Sequence, residues 1–127
     1  MANYRGVSDD SPSFASLTMT GNILETTRDN LVAFAGGGQT NGTPIVAQNA
    51  RFVTVATAAD SGLLPASKSG LIITCTNAAG VNSMNVFPGV GDAINALAVN
   101  TAFAVAAGKT CQFVCYTAGI WHTLLSA

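Results

Sequence analysis

From residue 43 onward the chain is a succession of short β-branched runs, none of helix length, cut by Gly, Pro, Asn and Asp at intervals of about 8 to 15 residues. The firmest run is LIITCTN (residues 71–77). RFVTVAT (51–57) alternates Val53 and Val55 with Thr54, and SMNVFP (83–88) sets Met84 and Val86 against Asn85. AFAVAA (102–107) follows, and TCQFVCYT (110–117) turns through AGI into WHTLLS (121–126). DSGLLPASKSG (60–70) reads as a loop holding Leu63, Leu64 and Pro65, and GDAINALAVN (91–100) as an irregular connection or one helical turn. This pattern predicts an all-β chain of roughly seven strands, an antiparallel β-sandwich or jelly-roll-like barrel.

Ahead of that body, residues 1–20 mix Ser, Asp, Pro, Thr and Met without a sustained period. NILETTRDNLVAFA (22–35) reads as a short strand, a turn at Arg28, Asp29 and Asn30, and a second strand. GGGQTNG (36–42) reads as a flexible loop. The division expected is therefore an extended N-terminal arm with a Gly-rich hinge, 1–42, and one β-sandwich body, 43–127. At 127 residues there is room for a single domain that buries roughly two-thirds of its unfolded surface.

The surface of such a body has to be made with very little charge. Asp, Glu, Lys and Arg are 9% of the chain, where about 25% is usual, and the formal net charge is −1. A free monomer stays dispersed through interspersed charge, so much of this surface is expected to lie against other protein. Arg5, Arg28, Arg51, Lys68 and Lys109 are scattered, which excludes a basic patch for nucleic acid or an anionic membrane. The N-terminal stretch has no basic segment followed by an apolar one, so no secretory signal is expected, and no apolar run approaches the roughly 18 residues of a membrane span.

Three cysteines and one histidine carry what reactive chemistry there is. On a strand, Cys111, Phe113 and Cys115 share a face, and at about 3.3 Å per residue the two cysteines stand ~13 Å apart. That exceeds the ~7 Å Cα limit of a disulfide and the reach of a shared zinc with bonds of about 2.3 Å. Cys75 is in phase with Leu71 and Ile73. Three readings stay open for Cys75, Cys111 and Cys115: buried thiols acting as small hydrophobes, a disulfide stapling strands or subunits, and metal or redox chemistry. His122 is next to Trp121 on the closing strand. A thiol enzyme using Cys115 and His122 would need an orienting third group, and Asp9, Asp10, Glu25, Asp29, Asp60 and Asp92 all fall in the arm or in turns. Neither GGGQTNG nor GVGDAI has the remaining residues of a phosphate or dinucleotide loop. No catalytic, cofactor or metal residue is assigned.

Three stretches, GNILETTRDNLVAFAGGGQTNGTPI, LPASKSGLIITCTNAAGVNSMNVFPGVGDAIN and GKTCQFVCYTAGIWHTL, share a pattern. It consists of a Leu-Pro-Ala loop, a strand ending in Thr-Asn, a Gly turn, a Gly-Asp-x-Ile-Asn connection and a closing hairpin with Gly-x-Trp. In this the chain, from about residue 24 to its end, resembles small β-sandwich virion proteins of tailed bacteriophages and prophages, the capsid decoration, cement or linking proteins. The same strand and loop pattern also occurs in domains of phage tail fibres. The resemblance implies a structural protein, not an enzyme, without cofactors. It would be made in the host bacterial cytoplasm and assembled as a homotrimer on the outer capsid surface of the virion. Its partners would be the major capsid protein and neighbouring decoration subunits. Cys75 and Cys111 stand where Val, Ala or Thr are usual in that pattern, which favours stapling by a disulfide. The alternative is a tail-fibre or baseplate module binding host surface glycan, with Trp121, Tyr116 and Phe87 as a stacking platform.

Overall fold

The computed structural model describes residues 15, 16, 18 and 20–127, and among them every regular element is a strand. The ten strands are β1 (Thr27–Val32), β2 (Thr43–Pro44), β3 (Asn49–Thr54), β4 (Ser61–Leu63), β5 (Ile72–Asn77), β6 (Met84–Phe87), β7 (Ala93–Ile94), β8 (Phe103–Val105), β9 (Thr110–Thr117) and β10 (Ile120–Leu125). They form a six-stranded sheet ordered β1-β3-β5-β9-β10-β7 and a four-stranded sheet ordered β2-β4-β6-β8.

The all-β expectation holds, but the antiparallel sandwich or jelly roll does not. The chain alternates between sheets, and β1, β3 and β5 pair in parallel, as do β2, β4 and β6. Three successive coils are thereby wound in one direction, a solenoid-like arrangement in which each coil packs on the next. The large-sheet strands of these coils begin at Thr27, Asn49 and Ile72. Only then does the chain reverse. β8 runs antiparallel to β6, β9 antiparallel to β5, and β10 closes on β9 as a hairpin. A period of two in the sequence tells which side chains share a face, not which strand lies alongside, so the winding direction was open.

The core lies between the sheets. Phe52, Phe113, Trp121, Met84, Val86, Val105 and Ile94 are fully buried, and the Phe103 and Phe113 rings meet edge to face at 6.1 Å. Phe113 comes from the large sheet and Phe103 from the small one, so this contact ties the two layers together. β4 is a strand in what the sequence presents as a loop, and Gly62 is the reason it escapes notice. A Cβ there would stand 3.1 Å from Phe52 Cζ and 3.2 Å from Met84 Cε, so the glycine marks a tight layer contact rather than a turn.

Part of the stretch expected as arm and hinge is packed into the body. Residues 27–42 belong to the first coil, with β1 paired to β3 and Ala33 buried. Arg28 to Asn30 is not a turn between strands but an irregularity within β1, where Asn30 takes φ 57° and the register to β3 shifts. The expected hinge is packed. A Cβ on Gly37 would sit 2.4 Å from Ser61 Oγ and 2.8 Å from Phe34 Cδ1. Gln39 Nε2 donates to Pro88 O at 2.8 Å and to Asn100 Oδ1 at 3.0 Å, which fastens the loop to two distant connections. Most of residues 1–20 lies outside the described residues.

Candidate interaction surface

Among the described residues no group of three His, Cys, Asp or Glu side chains is placed to hold a metal ion. The feature that stands out is instead the outward face of β5, β9 and β10. In β5, Ile73, Cys75 and Asn77 are buried, which turns Ile72, Thr74 and Thr76 outward. In β9 the buried set is Cys111, Phe113 and Cys115, which turns Gln112, Val114 and Tyr116 outward. Register aligns them into rows, Ile72 with Val114 and His122, then Thr74 with Gln112 and Leu124. Thr76 and Thr110 close the next row through a 2.8 Å hydroxyl contact. No Asp, Glu, Lys or Arg occurs among these outward residues. Leu124 is 68% exposed and Tyr116 69%.

Four of the eight charged residues among the described ones, Glu25, Arg28, Asp29 and Arg51, stand at one margin of the same sheet, and the other four lie in connections. Arg51 on β3 donates from Nε to Asp29 Oδ1 at 2.7 Å and from a terminal nitrogen to Asp29 Oδ2 at 2.9 Å. The guanidinium, helped by the Asn30 N–H, holds the Asp29 carboxyl below the usual carboxylate range, and Asp29 in turn raises Arg51. Glu25 accepts from Asn49 Nδ2 at 2.9 Å. With the bend at Asn30, this charge makes β1 a poor template for a further strand. The other edge strands are blunted in other ways, and β7 covers only Ile120 and Trp121 of β10. β2 contains Pro44, and β7 and β8 are only 2 and 3 residues long.

The sequence-derived candidates are mostly dispersed. Cys75, Cys111 and Cys115 are free and fully buried. Burial pushes the Cys75 thiol up to about 12 and the Cys111 thiol to about 11, and raises Cys115 as well. Thiols held protonated in this way are poor nucleophiles. Cys115 faces inward while His122 is exposed, so the two are on opposite faces of the sheet. Cys111 and Cys115 do lie on one strand and one face, as the sequence indicates. The proposed stacking platform is not assembled, because Trp121 is fully buried and Phe87 lies on the other sheet. Tyr116 alone remains exposed, with its ring 5.7 Å from that of His122.

Sequence reasoning missed the asparagines that hold the coil corners. Buried Asn77 donates to Asn82 O and Val105 O at 2.9 Å each and accepts from the Ala79 N–H at 3.1 Å. Asn82 Nδ2 donates to Val55 O and Ala56 O on the preceding coil, both at 2.9 Å. Asp60, expected as a turn residue, is one, and it is buried while accepting from the N–H groups of Thr57 and Gly36. The signal available in the sequence was only that Asn77 ends a β-branched run, while Asn82 and Asp60 stand in the connections between such runs.

The chain matches no protein-family model, no curated protein and no solved structure.

Proposed function

We propose that this is a structural virion protein, a decoration or cement protein that binds the outer surface of a tailed-phage head as a homotrimer and links capsomers. The observation that carries the reading is the uncharged outward face of β5, β9 and β10 on a chain whose edge strands are bent, short or interrupted by proline. A chain whose edge strands are blunted but which offers an uncharged face is suited to lateral packing, and that face is the seam between copies. The mechanism is stabilisation by burial, at about 25 cal/mol per Å² of apolar area, repeated at every capsomer. Residues 1–26, ahead of β1, add a second attachment to a neighbouring copy or to the major capsid protein, which raises effective concentration at the shell.

The test is titration of purified protein onto heads that lack it, with bound copies counted against the major capsid protein. The reading predicts saturation at a fixed multiple of the capsomer number, and weaker binding after deletion of residues 1–20. Absence of binding to heads would overturn it. A second reading, a tail-fibre or baseplate module that binds host glycan, is favoured by the exposed Tyr116 and His122 pair. It predicts only a few copies per virion, confined to the tail.

A further inference from the structure

We infer that Cys75 and Cys111 form a disulfide within one chain when the folded protein meets an oxidant of the small-disulfide class, and that Cys115 takes no part. The two residues are direct partners in the register of β5 and β9. Both are fully buried and neither is in a disulfide. Cys115, on the same face of β9, lies opposite the start of β5, where its N–H donates to Leu71 O at 2.9 Å. It therefore has no cysteine across from it.

The backbone bonds fix the kind of pair. Asn77 N donates to Lys109 O on the β9 side, whereas Thr74 N donates to Gln48 O on the β3 side. Odd-numbered residues of β5 thus exchange bonds with β9, and Cys75 and Cys111 occupy a hydrogen-bonded position. Such partners have Cα atoms about 5.5 Å apart, inside the roughly 4.4 to 6.8 Å that disulfides span. Their Cβ atoms stand nearer the upper end of about 4.5 to 5.5 Å, beyond the usual disulfide separation of about 3.8 Å. The bond can close only with a small approach of the two strands. It is therefore strained and more easily reduced than an ordinary structural disulfide.

The chemistry is two successive exchanges. One cysteine, exposed as thiolate during a local opening, attacks a sulfur of the small disulfide and releases one small thiol. The second cysteine sulfur attacks the protein sulfur of that mixed disulfide and releases the other. The S–S bond of the oxidant is broken and one forms between Cys75 and Cys111. Two electrons pass to the oxidant, and the two protein thiol protons end on the released thiols. Because burial keeps both thiols protonated, the reaction is slow in the closed state. This assignment places the cross-link inside the subunit rather than between subunits, and it stands independently of the capsid reading.

The experiment treats the full-length, folded protein with oxidised glutathione under native conditions, then alkylates and measures intact mass, peptide linkage and migration without reductant. The expected product is a monomer lighter by two hydrogens, with one alkylatable thiol at Cys115 and a peptide link from Cys75 to Cys111. Cys115→Ala should form the same link, and Cys75→Ala and Cys111→Ala should not. If either of the latter variants fails to fold, the linkage map of the wild-type protein decides alone. Three alkylatable thiols after prolonged oxidation, a link that includes Cys115, or a covalent dimer would each overturn the assignment. Mild reductant should restore all three thiols. A bond that resists it would contradict the strained position.

Discussion

The two flanks of the six-stranded sheet differ in what they leave open to a partner. Around β1 the chain places Glu25, Arg28, Asp29 and, on the adjacent strand, Arg51, together with a left-handed Asn30. Around β5, β9 and β10 it places Ile72, Thr74, Val114, Tyr116, His122 and Leu124, with no formal charge of the Asp, Glu, Lys or Arg type. In a chain where only 9% of residues are charged, that distribution is informative. An exposed strand edge recruits other strands through its backbone, whatever its side chains, and so needs bend and charge to stop it. A sheet face has no unpaired backbone to offer and binds through side chains, so a charge-free face can be specific without being aggregation-prone.

The largest effect should come from placing charge on the open face. Leu124→Arg combined with Tyr116→Asp should weaken self-association by at least ~2 kcal/mol, more than tenfold, while the circular dichroism spectrum stays that of the wild type. Sedimentation equilibrium provides the comparison. Equal association of variant and wild type would move the seam elsewhere.

Packing inside the first coil gives the next largest effect. Gly37→Ala should cost about 1 to 3 kcal/mol in urea denaturation, because the new methyl collides with Ser61 Oγ and Phe34. Gly38→Ala meets nothing within 4 Å and should fall within about 0.5 kcal/mol of wild type. If both glycines tolerate alanine equally, residues 36–42 are a hinge after all and β1 is less firmly part of the body.

The guarded edge can be opened in a graded way. Replacing Arg28 and Asp29 with Thr and deleting Asn30 should yield a straight, uncharged β1, and turbidity on concentration should rise while the wild type stays clear. Asp29→Asn alone should barely move the denaturation midpoint, since the ion pair is exposed to solvent. It should remove one pH dependence. The Asp29 carboxyl titrates below its unfolded value, so its contribution is full above that value and is lost as pH falls through the folded one.

A further signal, confined to alkaline pH, should come from a buried thiol. Cys75 is raised from 9.0 to about 12 in the folded protein, so the folded state holds its proton more tightly. Stability from this source is complete below 9.0 and declines as pH rises toward about 12, because unfolded thiols ionise first. Urea midpoints taken at increasing alkalinity under reductant should fall less steeply in Cys75→Ala than in wild type.

How legible all this was depends on the kind of information a residue carries. The alternation in LIITCTN and TCQFVCYT tells which side chains enter the core, and Ile73, Cys75, Phe113 and Cys115 are where that alternation puts them. It does not name neighbours, so three parallel coils and an antiparallel sandwich are written with the same alphabet. Glycine is ambiguous for a similar reason. Gly36 does adopt φ 60°, a turn conformation, whereas Gly37 and Gly62 are glycine because a side chain or ring occupies the space of a Cβ. Buried asparagines such as Asn77 are spelled like turn residues, and only the carbonyls they reach distinguish the two roles. The open face was half legible. Scarcity of charge is visible in the composition, but that four of the eight charged residues among the described ones stand together at β1 and β3 depends on which strands lie side by side.

The most direct test of the account is the solution mass of the native protein by light scattering over a range of concentrations, first with reductant and then after oxidation in its absence. A homotrimer is the predicted result, with the same mass before and after oxidation because the cross-link is internal to each chain. A compact monomer at every concentration would contradict the claim that the uncharged face of β5, β9 and β10 is the seam between copies.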